Sequence, residues 1–286
     1  MQIQLITDSS ADLPIELKEK LKIKTIPLYV HFGKKQYASD ELDTFTYFKK
    51  IREATDFPIS SAPGPHVYYE LFKEVPKDQA IIFMGISAGI SSAYNNAVMA
   101  MNLLLEEQPE RKIEVINTKT ASPGLILLLD EAGKRIEDGY NFDELVKHLY
   151  DRVEHTATFF ILKTVENLVR GGRLDKVKGA IAKTLNIKLL LYADKNGRVE
   201  VMEKIRGDKK SIRRFIAQIG EYVSSAEDKV ITLTHCQAID RANHIIEEIN
   251  KKYSFKQTIL SEIGPVISTH AGEGGIVISF FKDKRD

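Results

Sequence analysis

Short apolar runs alternate with helical stretches through the first half of the chain. The runs that we interpret as buried strands are Ile3–Ile6, Thr25–Val30, Ala80–Ile86 and Ile113–Ile116. Helical spacing predicts helices over Pro14–Leu21, Asp43–Glu53, from His66 to Lys73 and, with a capping box, over Asn141–Asp151. Strands that alternate with helices in this way indicate βαβ units and a mostly parallel sheet.

The second half has a different pattern. Lys188–Tyr192 and Val199–Glu203 flank the turn Asp194–Gly197, which is a strong hairpin signal. Further strands are predicted over Phe159–Leu162, Val230–Thr234 and Gly275–Phe281, and helices over Lys178–Thr184, Lys209–Val223 and Asp240–Lys252. We therefore expect an α/β protein with an N-terminal α/β domain over residues 1–155 and a mixed α/β domain over residues 156–286.

The amino-acid composition reduces the number of functions that this protein could have. The 286 residues include 43% hydrophobic and 28% charged residues, which is typical of a soluble globular protein. A net charge of +1 gives no electrostatic support for nucleic-acid binding. We expect no secretory signal and no membrane span, since the longest apolar runs are far too short. The single cysteine, Cys236, excludes an internal disulfide and favours a reducing cytoplasm.

The segment Ala80–Leu105 combines a buried strand, a Gly/Ser loop and a helix that we expect to begin at Ser91-Ser92. Hydroxyls and free N–H groups at a helix N-terminus are suited to binding an anion. The alternative is an ordinary helix cap, for which serine is also preferred. The chain has no Walker or GxGxxG motif, and Ser91 lies outside a GxSxG elbow.

Two other loops carry polar residues of possible chemical use. Pro58–Pro65 is a stiff, proline-rich loop that holds Ser60 and Ser61, and Gly264–Gly275 places His270 in a glycine-rich loop before the last strand. Simple connecting turns are the alternative for both.

The remaining candidates are weaker. His235 and Cys236 are adjacent on a strand and point to opposite faces, so we expect a buried structural cysteine rather than a catalytic pair. The other histidines lack the spacing of a zinc site. Basic residues at Lys204–Arg214, with Arg170 and Arg173, indicate either a solvated face or a docking patch for an acidic or phosphorylated partner.

Taken in order, six stretches resemble the DegV family of bacterial fatty-acid-binding proteins across essentially the whole chain. They are ITDSSADLP (6–14), PISSAPG (58–64), SAGISSAY (87–94), LVRGGRL (168–174), EKIR (203–206) and GPVISTHAGEGG (264–275). The resemblance implies two α/β domains with a long-chain fatty acid in a buried tunnel at or near their interface. It further implies a carrier that does no chemistry alone and needs no cofactor or metal. Such a carrier presents the acyl carboxylate to a dihydroxyacetone-kinase-like fatty acid kinase for acyl phosphate formation.

Carried over to this sequence, the family's motifs imply that Ser60 and Ser91 hold the carboxylate, with His270 nearby. The full set of predicted ligand-binding residues is Ser60, Ser61, Ser91, Ser92, Thr269 and His270. Partner docking is expected at Arg170, Arg173 and Arg206. The apolar stretches Ala97–Leu105 and Leu125–Leu129 are candidates for the tunnel lining.

The chain departs from the family motifs at several positions. Ser60 replaces a threonine, Ala62 a glutamine, Ser92-Ala93 a Gly-Thr pair and Glu273 a proline. Glu273 would weaken carboxylate binding unless its side chain faces solvent.

Two other function classes remain open at this stage. A serine-dependent hydrolase or acyltransferase would use Ser91 as nucleophile and His270 as base, although no third member of a triad is evident. A pure interaction protein would depend on the basic segment Lys204–Arg214.

Overall fold

The apolar runs form the strands of three sheets in the computed structural model, which describes residues 1–174 and 187–283. In chain order the strands are β1 (Ile3–Asp8), β2 (Lys24–Ile26), β3 (Tyr29–Phe32), β4 (Lys35–Ala38), β5 (Ile59–Ser61), β6 (Ala80–Gly85), β7 (Ile113–Asn117), β8 (Thr156–Leu162), β9 (Ile187–Ala193), β10 (Val199–Arg206), β11 (Val230–His235), β12 (Gln257–Glu262) and β13 (Ile276–Phe281). The helices are α1 (Ile15–Lys20), α2 (Thr44–Glu53), α3 (Pro65–Glu74), α4 (Ala93–Glu107), α5 (Pro123–Glu137), α6 (Phe142–His155), α7 (Glu166–Arg170), α8 (Asp208–Tyr222), α9 (Ile239–Asn250) and α10 (Pro265–Ala271). The predicted helix Lys178–Thr184 lies outside the described residues.

The mixed α/β architecture predicted from sequence is confirmed. A four-stranded parallel sheet has the order β2-β1-β6-β7, and a six-stranded mixed sheet has the order β10-β9-β8-β13-β11-β12. A small antiparallel sheet, β4-β3-β5, lies in the first half. The parallel sheet uses residues before 118 and the mixed sheet residues after 155. The division into two domains at residue 155 stays a prediction, since α5 packs against strands of both large sheets.

Helix α5 packs between the two large sheets. Its segment Leu125–Leu129 is entirely buried, and its four leucines belong to one apolar cluster with Leu5 and Ile82 of the parallel sheet and Phe281 of the mixed sheet. A helix that is apolar on all sides needs apolar neighbours on all sides. The uniform apolarity of this segment is therefore explained by its place between two sheets.

The mixed sheet has two different faces because alternate residues of a strand point in opposite directions. Phe159 and Ile161 of β8 join the apolar cluster under α8 and α9. Phe160 and Leu162, between and after them, join the cluster that includes residues of α3, α4 and α10. This second face borders the cavity described below.

Three sequence predictions need correction. The run Thr25–Val30 is not one strand: Pro27, which has no N–H to donate, separates β2 in one sheet from β3 in another. The loop Pro58–Pro65 contains strand β5, which pairs with β3. His270 lies on helix α10, which begins with Pro265 at its first position.

The capping box at Asn141 and the β9–β10 hairpin are confirmed. The tip of that hairpin packs against the parallel half of the molecule, where Ser87 Oγ donates to the Gly197 carbonyl at 2.9 Å. Gly197 has a φ of +71°, and a Cβ at this position would lie 2.6 Å from Lys119 Cα. Glycine is therefore required twice here, for its backbone angle and for its small size.

We predict that Gly197→Ala destabilises the fold more than Gly33→Ala. Both glycines have a left-handed φ, but nothing lies within 4 Å of a Cβ at Gly33. Backbone strain alone costs about 1–2 kcal/mol, so Gly33→Ala should stay in that range in urea unfolding. Gly197→Ala adds the clash and the loss of hairpin docking, and equal free energies of unfolding for the two variants would contradict this account.

Candidate functional site

A cavity lies between the parallel half and the mixed sheet, with about 900 Å³ of empty space including its opening. Its wall is mostly apolar, with side chains from β8, β13, α10 and the β9–β10 hairpin. The apolar and glycine residues are Leu28, Ile86, Ile90, Ala121, Phe160, Leu162, Leu168, Ala193, Gly197, Val199, Val266, Ile267, Ala271 and Val277. The polar ones are Ser60, Ser61, Ser91, Thr120, Ser122, Thr158, Arg173 and His270. A cavity of this kind suits a ligand that is mainly hydrocarbon with a small polar group.

Ser60 and His270 form the centre of the polar wall. Ser60 Oγ lies 2.7 Å from His270 Nε2, and Ser60 is held by the pairing of β5 with β3. The His270 ring packs against the backbone at Gly171, where a Cβ would lie 2.5 Å from Nδ1. The small residues of the Arg-Gly-Gly-Arg motif thus allow the ring to enter the wall.

The surroundings of His270 favour its uncharged form. Burial, followed by the positive charge of Arg173, lowers the pKa of His270 to about 4. Its buried Nδ1 has no hydrogen-bond partner among the described residues. The imidazole is therefore a buried polar group whose hydrogen bonding the described residues do not complete.

Arg173 lies in the cavity wall, which the sequence did not predict. Its Nε donates to the Ile90 carbonyl at 3.1 Å and one terminal nitrogen donates to the Gly171 carbonyl at 2.5 Å. Burial lowers the pKa of this guanidinium, and among the described residues no carboxylate forms an ion pair with it. A half-buried cation without an anion nearby favours a negatively charged ligand.

The two serines of the helix start have different environments. Ser91 lines the cavity, and its Oγ accepts a hydrogen bond from Ala93 N at 3.2 Å. Ser92 is exposed, makes no side-chain cap bond and is absent from the cavity wall. Helix α4 begins one residue later than predicted, at Ala93, so only Ser91 reaches the cavity.

Of Ser61 and Thr269, only Ser61 lines the cavity. Ser61 lines the cavity, although its Oγ is also 2.8 Å from His31 Nε2. Thr269 is fully buried, and its Oγ1 lies 3.0 Å from both the Tyr47 hydroxyl and the Pro265 carbonyl. Its hydroxyl is therefore used within the protein core, and Thr269 does not line the cavity, contrary to its inclusion in the predicted ligand set.

The two candidate stretches for the tunnel lining lie apart from this cavity. Neither Ala97–Leu105 nor Leu125–Leu129 contributes to the cavity wall. The buried side of the first segment packs in the cluster that includes α3, and the second lies between the sheets. Apolar helices of these two kinds satisfy core packing, and the cavity is lined instead by strands, loops and α10.

Cys236 and Glu273, two other residues singled out from the sequence, do not line the cavity. Cys236 is completely buried with its Sγ 3.2 Å from Ser268 Oγ, and burial raises the pKa of its thiol to about 12. Glu273 is exposed and lies 3.6 Å from Lys163, so its side chain faces solvent.

Within the described ranges, no three His, Cys, Asp or Glu side chains converge as a metal site. No helix in residues 1–174 or 187–283 is both long and apolar enough to cross a membrane.

The predicted docking arginines do not share one environment. Arg170 is exposed, pairs with Glu166 at 2.5 Å and lies over the Phe57 ring. Arg206 is exposed at the end of β10. Arg173 differs from both because its guanidinium borders the cavity.

The pair expected for a serine hydrolase is not formed. The hydroxyl beside His270 belongs to Ser60, whereas Ser91 is bonded to the backbone of its own loop. No carboxylate in the described residues orients His270 Nδ1. An imidazole whose pKa is about 4 is also a poor general base at neutral pH.

Comparison with known proteins identifies the family. A sequence profile described as an uncharacterised protein of the DegV family matches residues 2–283. The chain belongs to the DegV family. Among its DegV relatives, a Thermotoga maritima protein named fatty acid-binding protein is 29% identical over 295 residues, covering all of both chains.

Solved DegV structures share the whole fold. The Ruminococcus gnavus DegV protein with vaccenic acid has a TM-score of 0.91 at 28% identity, covering 98% of this chain and 99% of its own. The Streptococcus pneumoniae Fatty Acid Kinase (Fak) B3 protein loaded with linoleic acid has a TM-score of 0.88 at 26% identity, covering 99% and 100%. Both of these structures hold a fatty acid in the same fold.

We predict that His270 titrates with a midpoint of about 4 in delipidated protein, because its imidazole is buried beside a cation. NMR of histidine-labelled protein measures this directly. Arg173→Gln should raise the midpoint, since it removes the neighbouring positive charge. A wild-type midpoint near the ordinary value of 6.5 would contradict the described environment.

Proposed function

We propose that this protein binds a long-chain fatty acid, with its carboxylate at Ser60, Ser91, His270 and Arg173 and its acyl chain along the apolar wall. The single observation that carries the proposal is the composition of the cavity: an apolar wall with a guanidinium, an imidazole and hydroxyls among it. The vaccenic and linoleic acids in the related DegV structures support the same ligand class.

The energetics favour such a ligand. Burial of an acyl chain contributes about 0.8 kcal/mol per CH₂ group, so a long chain supplies most of the binding free energy. A buried carboxylate without partners would cost several kcal/mol. The hydroxyl of Ser60, the guanidinium of Arg173 and the ring of His270 would offset that cost. A bound carboxylate would also raise the pKa of His270 and favour its charged form.

Serine variants test the head site. Ser60→Ala and Ser91→Ala should each weaken palmitate binding by about tenfold or more, because a hydrogen bond to a charged group contributes about 1.5–3 kcal/mol. Ser92→Ala is the matched control, since its exposed hydroxyl is one residue from Ser91 and outside the cavity. Isothermal titration of delipidated proteins measures all three affinities.

Native mass spectrometry of the protein purified from bacteria should also show a co-purified fatty acid that is lost on denaturation. Absence of this mass together with no palmitate binding by the wild type would overturn the proposal. Equal affinities for Ser60→Ala, Ser91→Ala and Ser92→Ala would overturn the placement of the carboxylate.

We extend the proposal to a role as a carrier subunit. Its partner would be a dihydroxyacetone-kinase-like fatty acid kinase, which phosphorylates the presented carboxylate in the cytoplasm. The similar Streptococcus pneumoniae protein, named Fatty Acid Kinase (Fak) B3 protein, supports this role. The exposed Arg170 and Arg206 are the proposed docking residues.

Charge reversal tests the docking surface. Arg170→Glu and Arg206→Glu should lower kinase-dependent acyl phosphate formation severalfold without changing palmitate affinity, since both side chains are exposed and outside the cavity. Lys147→Glu, an exposed charge reversal on α6, is the control. Unchanged acyl phosphate formation in both arginine variants would reject these residues as the docking site.

A further inference from the structure

Asp12, in the opening segment of the chain, contacts two walls of the cavity from outside it. Its Oδ1 accepts a hydrogen bond from Gly264 N at 2.9 Å, and Gly264 is the N-cap of α10. Its Oδ2 accepts from Ser122 Oγ at 2.5 Å, and Ser122 lines the cavity. One carboxyl group thus joins the helix that carries His270 to the loop that follows β7.

The backbone at Asp12 strengthens this connection. Asp12 has a left-handed φ of 51°, which turns the chain out of the short 3₁₀ turn Ser9–Ala11. Its carbonyl accepts a hydrogen bond from Ser261 Oγ at 2.6 Å. Three bonds from separate segments therefore fix the residue, and two of them use the side chain.

We propose that Asp12 is a positioning residue of the ligand site, which holds α10 and Ser122 in register so that His270 faces the bound carboxylate. The inference rests on the proposed fatty acid binding. Asp12 itself does not line the cavity, and it acts through Ser122 and Gly264. Its effect reaches four cavity-lining residues of α10: Val266, Ile267, His270 and Ala271.

The protonation state of Asp12 makes ligand affinity dependent on pH. Burial raises the pKa of its carboxyl to about 8, against the opposing effect of its two hydrogen bonds, and the nearby Asp8 raises it further. Asp12 is also part of a second, polar cavity behind α10, whose other charged residues are Asp8, Lys18, Asp40 and Glu262. Buried Cys236, which directly follows β11, is another titratable group near Asp12, and its pKa is about 12.

The sign of the pH effect follows from the ligand's charge. Asp12 is hydrogen-bonded to Ser122, which lines the cavity, so a negative charge on Asp12 repels an anion in that cavity, and the anion binds more tightly when Asp12 is protonated. Affinity should therefore fall as pH rises through the pKa of Asp12, by at most about tenfold per pH unit for one proton. His270 titrates well below this range and Cys236 well above it.

Asp12→Asn distinguishes the proposed role from simple structural support. The amide keeps an acceptor for Gly264 N and places a donor toward Ser122, as the protonated acid does. We expect palmitate affinity within about threefold of the wild type near pH 7 and no decline toward about pH 9.5, where the wild type weakens by about tenfold. Hexadecanesulfonate serves as a second ligand, because its head group stays ionised and any pH effect then belongs to the protein.

Asp12→Ala removes both side-chain bonds and should weaken both ligands by at least about tenfold. Ser261→Ala is the matched control, since it removes a bond to the backbone of the same residue and leaves the carboxyl intact. It should lower the melting temperature and keep the wild-type pH profile. If Asp12→Ala does not fold, the pH profiles of Asp12→Asn and the wild type decide the proposal alone.

Identical pH profiles for the wild type and Asp12→Asn with hexadecanesulfonate would overturn the inference, as would wild-type affinity in a folded Asp12→Ala variant. A wild type that binds neither palmitate nor hexadecanesulfonate would overturn the proposed function instead.

Discussion

The hydrogen bond between Ser60 Oγ and His270 Nε2 joins positions 210 residues apart in the chain and fixes the polar part of an otherwise apolar cavity. Each partner is placed by its own element, Ser60 by the pairing of β5 with β3 and His270 by α10. A polar group in an apolar wall is costly unless it is satisfied. The small β4-β3-β5 sheet and the short helix α10 are therefore needed to bring the two side chains together.

Electrostatics explains why this arrangement suits an anion. Arg173 is half-buried and unopposed by any carboxylate in the described residues, and it helps keep the neighbouring His270 neutral. A carboxylate that enters the cavity would relieve both conditions at once, since it would pair with the guanidinium and favour protonation of the imidazole. The hydroxyls then orient the carboxylate by hydrogen bonding, and the apolar wall provides most of the affinity.

Much of this organisation was predictable from sequence, because strand and helix periodicity is a local signal. The parallel order of the first half, the β9–β10 hairpin and the capping box of α6 follow from such signals. The site could be predicted only where short motifs carried it, as for Ser60, Ser91 and His270, all of which line the cavity.

The errors come from properties that depend on tertiary contacts. Sequence cannot show that Leu125–Leu129 lies between two sheets, that Thr269 bonds to Tyr47, or that Arg173 turns toward a cavity while Arg170 stays exposed. Thr120 and Thr158, 2.8 Å apart in the cavity wall, were missed for the same reason. A hydroxyl within an apolar strand, such as Thr158 in β8, was the only available signal.

A crystal structure of the protein with palmitate tests the central claim most directly. The account predicts elongated density that begins within hydrogen-bond distance of Ser60 or Ser91, contacts Arg173 or His270 at the same end, and continues along Phe160 and Val266. Density with the carboxylate at the opposite end of the cavity, or a ligand bound elsewhere with this cavity unoccupied, would contradict it.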